Sequence, residues 1–126
     1  MSEVFKVDKR VKLSRDGVIK YQILTYCFLN DIQISISDLD CLTELAKEGV
    51  HELTSFCKIV SDKQIFKSPQ SARNAITKAE KKNLILKNGN NKKTIELNKD
   101  MEILSKGVIF LDYKFDLPTH LQIYFH

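Results

Sequence analysis

The chain has 126 residues, a hydrophobic fraction of 43%, a charged fraction of 29% and a formal net charge of +4. This composition is typical of one soluble globular domain, and no apolar run is long enough to cross a membrane. The modest positive charge is compatible with an anionic partner but does not require one. Domains that are guided to DNA by their charge alone are usually more basic.

The N-terminal residues, from Met1 to Asp16, alternate charged and apolar side chains and predict an extended arm or an edge strand. The next segment, Val18–Leu29, is apolar on most sides. A helix that is hydrophobic around most of its girth is a central core helix or an interface helix. We therefore expect Val18–Leu29 to be helical and to be one candidate for a homo-oligomer contact.

Short elements are predicted in the middle of the chain. Strict alternation over Ile32–Ile36 predicts a short strand, and Ser37 is a good N-cap for a helix over Asp38–Lys47. Gly49 ends that helix, and apolar residues at helical spacing predict a further helix over His51–Val60.

The next predicted helix has the clearest boundaries in the chain. Ser68 can cap it, and Pro69 fits the first turn, where no amide hydrogen is needed. Asn83 stands where a left-handed C-cap is expected, so the helix should run from Pro69 to Lys82.

A two-stranded hairpin should follow this helix directly. Leu84–Leu86 and Lys93–Leu97 are apolar enough to form short strands. The polar residues Asn88–Asn91 between them are typical of a tight turn.

The C-terminal region is rich in apolar and aromatic residues. Ile109–Leu117 alternates and predicts a strand with one apolar face, and Pro118 interrupts the chain before a last apolar segment. An exposed apolar tail invites association, so part of it should pair with the N-terminal arm or with Ile32–Ile36. The remainder should contact another subunit, through the residues Leu121, Ile123, Tyr124 and Phe125.

The part of the chain from Phe56 to Leu97 resembles the winged helix-turn-helix superfamily, broadly its MarR-like and plasmid or phage replication-type branches. Phe56–Val60 matches the helix before the turn, Ser68–Asn83 the recognition helix, and the two predicted strands the wing. The resemblance implies an α+β fold, a winged helix-turn-helix with additional N-terminal and C-terminal strands. The predicted organisation is an arm over residues 1–17, a winged-helix domain over 18–104, and a C-terminal β extension for interaction over 105–126.

The resemblance also implies a DNA-binding face on the recognition helix and the wing. At 100° per residue, one polar side of the helix carries groups that can read base edges or hold phosphates. The wing adds lysines around a flexible turn. The candidate residues are Gln70, Arg73, Asn74, Thr77, Lys78 and Lys81 on the helix, and Lys87, Lys92 and Lys93 on the wing.

Residues for metal binding, disulfides or catalysis are not found in any recognised arrangement. Cys27, Cys41 and Cys57 are odd in number and widely spaced, so we expect buried, reduced thiols. The three histidines have no partner at metal-ligand spacing, and no phosphate loop or nucleophile elbow occurs. The sequence therefore predicts a protein that is not an enzyme and needs no cofactor and no metal.

Two functions of different classes agree with these observations. The first is a winged-helix protein that binds duplex DNA, cytoplasmic in a bacterium, with a homo-oligomer contact through Val18–Leu29 or the C-terminal tail. The second is a phage virion assembly protein, a connector or ring subunit, that uses the same fold to contact other virion proteins. The connector Ser61–Lys67 is longer than a usual helix-turn-helix turn, which counts against standard docking on DNA. The apolar tail and the weak positive charge favour the second function.

Overall fold

A computed structural model of the protein describes the backbone of residues 4–118 and the side chains of residues 10–112. The chain divides into two compact units. One spans Arg15–Gly107, and the other joins the N-terminal segment up to Ser14 to the C-terminal segment from Val108. Within the described residues, the fold has four α-helices and two small antiparallel sheets. The predicted α+β class is confirmed.

A two-stranded ribbon forms the smaller unit. Strand β1 (Val4–Lys12) pairs antiparallel along its full length with strand β5 (Phe110–Pro118). The pairing continues past the strands, because the Leu13 amide donates to the Ile109 carbonyl at 3.0 Å. This confirms that the N-terminal arm is extended and pairs with the C-terminal strand. The last apolar segment, residues 119–126, lies outside the described residues.

The first two helices of the larger unit are α1 (Arg15–Leu29) and α2 (Ile36–Glu48). The predicted helix over Val18–Leu29 is confirmed, although it begins three residues earlier. The predicted strand over Ile32–Ile36 is wrong. Residues 32–35 are an irregular connector, and Ile36 already begins α2. Their alternation reflects Ile32 and Ile34 packing against the core, and no strand of the described residues pairs with this connector.

The N-cap of α2 lies two residues earlier than predicted. Ser35, and not Ser37, caps the helix: its side chain accepts from the Asp38 amide at 3.0 Å. Asp38 in turn accepts from the Ser35 amide at 3.2 Å, which completes a capping box. Gly49 ends the helix at a φ of 78°, as predicted.

The predicted helix over His51–Val60 is wrong in its first two residues. His51–Glu52 form strand β2, and helix α3 spans Leu53–Asp62. The Glu52 carboxylate accepts hydrogen bonds from the amides of Thr54 and Ser55, so this residue caps α3 and cannot lie inside it.

Helix α4 (Pro69–Lys81) begins at the predicted residue and ends one residue before the predicted Lys82, which is its C-cap. The Ser68 hydroxyl accepts from the Ser71 amide at 3.1 Å. Asn83 adopts the left-handed conformation with a φ of 61°. The amides of Asn83 and Leu84 return to the carbonyls of Glu80 and Ala79, which is the bonding of a Schellman motif.

The hairpin follows as strand β3 (Ile85–Asn88) and strand β4 (Thr94–Leu97), joined by a turn that includes a 3₁₀ segment at Asn90–Lys92. Strand β2 adds to the other edge of β4, so the sheet order is β2-β4-β3. All four helices and this sheet share one core. Its fully buried large side chains include Ile19, Ile23, Leu42, Leu45, Phe56, Val60, Ile76, Leu84, Ile85 and Ile95.

The left-handed residue at the end of α4 gives a test of the local fold. Asn83→Ala should lower the free energy of unfolding by about 1 kcal/mol, because a Cβ without a compensating polar group disfavours this conformation. Asn83→Gly should be about as stable as the original chain, because glycine adopts positive φ without strain. Urea unfolding measures both, and equal losses in the two variants would contradict the role of the conformation.

Candidate functional site

The outward side of α4 is polar and lies on the surface. Gln70, Asn74, Lys78 and Lys81 are exposed. The opposite side is small and apolar. The 100° spacing places Ala72, Ala75, Ile76 and Ala79 there, and all of these are buried except Ala75, which is half-buried. Arg73 and Thr77 are half-buried at the same polar side.

Hydrogen bonds hold several of these side chains in place. The Gln70 amide donates to Asn74 Oδ1 at 3.0 Å, and the Thr77 hydroxyl donates to the Arg73 carbonyl. Arg73 Nη2 donates to Thr54 Oγ1 at 3.0 Å, which links α4 to the first turn of α3. One guanidinium nitrogen of Arg73 thus donates within the protein, and the remaining N–H donors of the guanidinium can bind other partners.

Arg73 also lines a shallow cleft beside the hairpin turn. The cleft has a volume of about 300 Å³ and brings Arg73 together with Lys92 and Lys93. We call it the basic cleft. Its other lining residues are Glu52, Leu53, Thr54 and Asn91.

The turn at the tip of the hairpin presents the two lysines of the basic cleft. Asn91 and Lys92 both have positive φ, at 58° and 55°, and Gly89 has a φ of 84°. A Cβ on Gly89 would lie 2.9 Å from Thr94 Oγ1, so only glycine fits there. The tightly turned backbone leaves Lys92 and Lys93 exposed.

Lys87 is placed differently from the other predicted residues. It lies in β3, its side chain is 17% exposed, and its ammonium is 3.5 Å from Glu80 Oε1. Its charge is therefore already opposed by a carboxylate.

Lys82, at the end of α4, donates to the Gln33 carbonyl at 2.6 Å and ties the helix to the α1–α2 connector. The structure thus brings together eight of the nine candidates on two adjoining surfaces, and sets Lys87 apart.

Glu52 is the one carboxylate in the basic cleft. The Ser55 hydroxyl and the Ser55 and Thr54 amides donate to it, and these bonds lower its pKa to about 2. Glu52 is thus ionised at neutral pH, but its charge is directed at the N-terminus of α3, where a negative charge is stabilising.

This carboxylate should make stability depend on pH. Because the pKa of Glu52 is lowered in the folded protein, its contribution is present above the ordinary value of 4.5 and is lost as pH falls towards 2. Glu52→Gln should therefore be less stable than the original chain at about pH 6 and lose less stability on going to about pH 3. Urea unfolding at both values measures this, with Asp62→Asn, at the other end of α3, as the control. An unchanged pH dependence in Glu52→Gln would contradict the role of the cap.

The three cysteines are buried and not bonded to one another. Burial raises the pKa of the Cys41 thiol to about 12. Among the residues that the structure describes, no cluster of three or more His, Cys, Asp or Glu side chains has a metal-binding arrangement. Over the same residues, no helix combines the length and the apolar character needed to cross a membrane.

Four residues of the basic cleft were not predicted from the sequence: Glu52, Leu53, Thr54 and Asn91. The predicted helix over His51–Val60 placed Glu52 and Thr54 in its interior, where no N-cap is expected. A glutamate at an N-cap is also a weak sequence signal for the start of a helix. Comparisons with protein-family models, with curated proteins and with solved structures gave no match to this chain. A function for it must therefore be argued from its own residues and geometry.

Proposed function

We propose that the unit from Arg15 to Gly107 is a winged helix that binds duplex DNA. Helix α4 is the recognition helix, and the hairpin β3–β4 is the wing. In this proposal the exposed face of α4 enters the major groove, and the basic cleft holds the phosphate backbone beside it.

The order of the elements is the first support for this proposal. From α2 onward the chain runs helix, short strand, helix, helix, and then a two-stranded hairpin. The short strand β2 pairs with β4, the second strand of the hairpin, which gives the order β2-β4-β3. A winged helix-turn-helix has this order of elements, with the last helix before the hairpin as its reader.

The distribution of charge is the observation that carries the DNA-binding part. The α4 face and the basic cleft together present Arg73, Lys78, Lys81, Lys92 and Lys93. Opposing carboxylates near these groups are already engaged: Glu80 pairs with Lys87, and Glu52 caps α3. A surface with excess positive charge next to amide side chains suits a nucleic-acid backbone and base edges.

The lysines and the amide side chains of the α4 face have different tasks. Lys78 and Lys81 lie on an exposed helix face, where their ammonium groups can reach phosphates on either side of a groove. Asn74 can make a bidentate contact to adenine, and Gln70 holds its side chain in position. Arg73 is fixed by Thr54 at the boundary between the helix and the basic cleft.

Replacing the base-reading residue tests the proposal. A duplex sequence preferred by the original chain is first selected from a random library, and its affinity is compared with that of point-mutated sites. Asn74→Ala should bind the preferred site about 10-fold to 100-fold more weakly, which corresponds to about 1–3 kcal/mol, and should discriminate less among sites. Gln33→Ala, which replaces an exposed polar residue outside the α4 face, is the control.

The outcome separates the two classes of function. Relaxed preference in Asn74→Ala alone supports base readout by α4. An original chain that binds no duplex at low salt would overturn the proposal and favour use of the fold for protein–protein contacts, as in virion assembly.

A further inference from the structure

Helix α1 carries an apolar stripe on its solvent side. Tyr21, Leu24, Phe28 and Leu29 are 43%, 47%, 84% and 74% exposed. At about 100° per residue, these four and Thr25 fall within an arc of roughly 140°. We call these five residues the outer stripe. Its exposure does not arise from a shortage of core contacts, because the other side of α1 buries Ile19, Ile23 and Cys27.

The charged residues of α1 lie away from the outer stripe. Asp16 is 2.7 Å from the Lys47 ammonium, and the Lys20 ammonium is 3.0 Å from Asp40. Both pairs join α1 to α2, and the Asp16 and Lys20 side chains remain 48% and 37% exposed. A surface helix normally turns its charges to solvent and its apolar residues inward. At 100° per residue, Arg15, Asp16 and Lys20 all fall outside the arc of the outer stripe, so the stripe itself carries no charge, as on a helix face that is covered.

A groove runs beside the outer stripe. It has a volume of about 370 Å³ and is bounded by α1 and the segment around Met101. Tyr21, Tyr26 and Leu29 line it, and Asp100 and Glu102 also contribute. Phe28, the most exposed residue of the stripe, is an aromatic ring of a size that such a groove can hold.

We propose that the outer stripe is the contact between two copies of this chain. The stripe and the groove beside it offer a protruding ring and a recess lined by Tyr21, Tyr26 and Leu29, so the surface is complementary to itself, as a twofold interface requires. The five residues of the stripe carry no charge, so burying them leaves no ion of their own unpaired. The two carboxylates at the groove, Asp100 and Glu102, belong to the segment around Met101 and not to the stripe. A membrane surface is a poorer occupant, because a helix that binds lipid carries basic residues along its polar face, and Lys20 is held by Asp40.

The available area agrees with a dimer. The exposed parts of the four large side chains amount to roughly 500 Å² per copy, given side chains of about 150–250 Å² each. A stable interface of standard size buries about 800 Å² per partner. The stripe alone supplies more than half of that area, and the residues that line the groove beside it supply additional area. This inference does not depend on DNA binding.

Native mass is the first test. Sedimentation equilibrium of the full chain, without DNA, should give twice the 14.6 kDa of one chain. Leu24→Asp and Phe28→Asp should each raise the Kd of the dimer by about 100-fold or more, because each would bury an unpaired charge. Val50→Asp is the control, since Val50 is 60% exposed but lies after α2. Circular dichroism checks that all three variants remain folded.

Cross-linking is the second test and does not need a disruptive variant. Thr25 is exposed and lies at the middle of the outer stripe, so Thr25→Cys should form a covalent dimer under mild oxidation, whereas Val50→Cys should not. The native cysteines are at most 3% exposed and should not form disulfides between copies. A monomer at every concentration would overturn the proposal and leave the stripe to another segment of this chain or to a different partner. A dimer that survives both Asp variants, or cross-links equally through Val50→Cys, would also overturn it.

Discussion

Removing two lysines from the exposed face of α4 should weaken duplex DNA binding strongly at every sequence. Each lysine that neutralises one phosphate contributes about 0.9 to the slope of log K against log salt. Lys78→Gln with Lys81→Gln should therefore reduce that slope by about 1.8 and lower the affinity roughly 50-fold at about 0.1 M salt. Sequence preference should be unchanged, because phosphates carry no base identity.

The hairpin lysines should behave in the same way. Lys92→Gln with Lys93→Gln should remove a further two contacts, and all four changes together should cost more than about 10³ in affinity at about 0.1 M salt. Lys99→Gln with Lys106→Gln is the matched control, because both lysines are exposed and outside the two surfaces. Fluorescence anisotropy over a salt series measures the slopes. Equal slope changes in the control and test pairs would show that only net charge matters.

The second large effect concerns the residue at the centre of the fold. Phe56→Ala should lower the free energy of unfolding by about 3–5 kcal/mol, which is a large part of the total of about 5–15 kcal/mol for a domain. The ring of Phe56 is fully buried in α3 and lies 5.9 Å from the His51 ring of β2. Its removal leaves a cavity between the helices and the sheet, which cannot close without moving either one.

Two controls separate this cavity effect from a general loss of hydrophobic residues. Phe56→Leu keeps most of the volume and should cost less than about 1.5 kcal/mol. Ile36→Ala removes a large residue that is 80% exposed, and should change stability by less than about 0.5 kcal/mol. Urea unfolding of all three variants measures the differences. A small effect of Phe56→Ala would mean that the core repacks around the missing ring.

Local sequence signals were enough for the elements that carry their own boundaries. The helix α4 has a serine cap, a proline in its first turn and an asparagine at its end, and each acts within a few residues. Periodicity likewise predicted the buried side of α4: Ala72, Ile76 and Ala79 are buried, whereas Ala75, predicted on the same side, is half-buried. The six predicted helix-face residues follow from the same periodicity.

Features that depend on distant parts of the chain were not predictable in the same way. Ile32 and Ile34 alternate as in a strand, but a strand needs a partner, and none pairs with them among the described residues. The Arg73–Thr54 bond joins positions 19 residues apart, and the Lys87–Glu80 pair depends on how β3 leaves α4. Nothing in the local pattern indicates which lysine is neutralised and which is left for a ligand.

The ribbon of β1 and β5 has a mechanical consequence. Val4 lies opposite Pro118 at one end of the ribbon, and Lys12 lies opposite Phe110 at the other. A force that draws Val4 and Pro118 apart therefore acts on one residue pair at a time, and peels the ribbon from its open end. Peeling breaks the hydrogen bonds between the two strands one after another and not all at once, so the ribbon separates gradually under tension. The larger unit, with its shared core, bears the load only after the ribbon has separated.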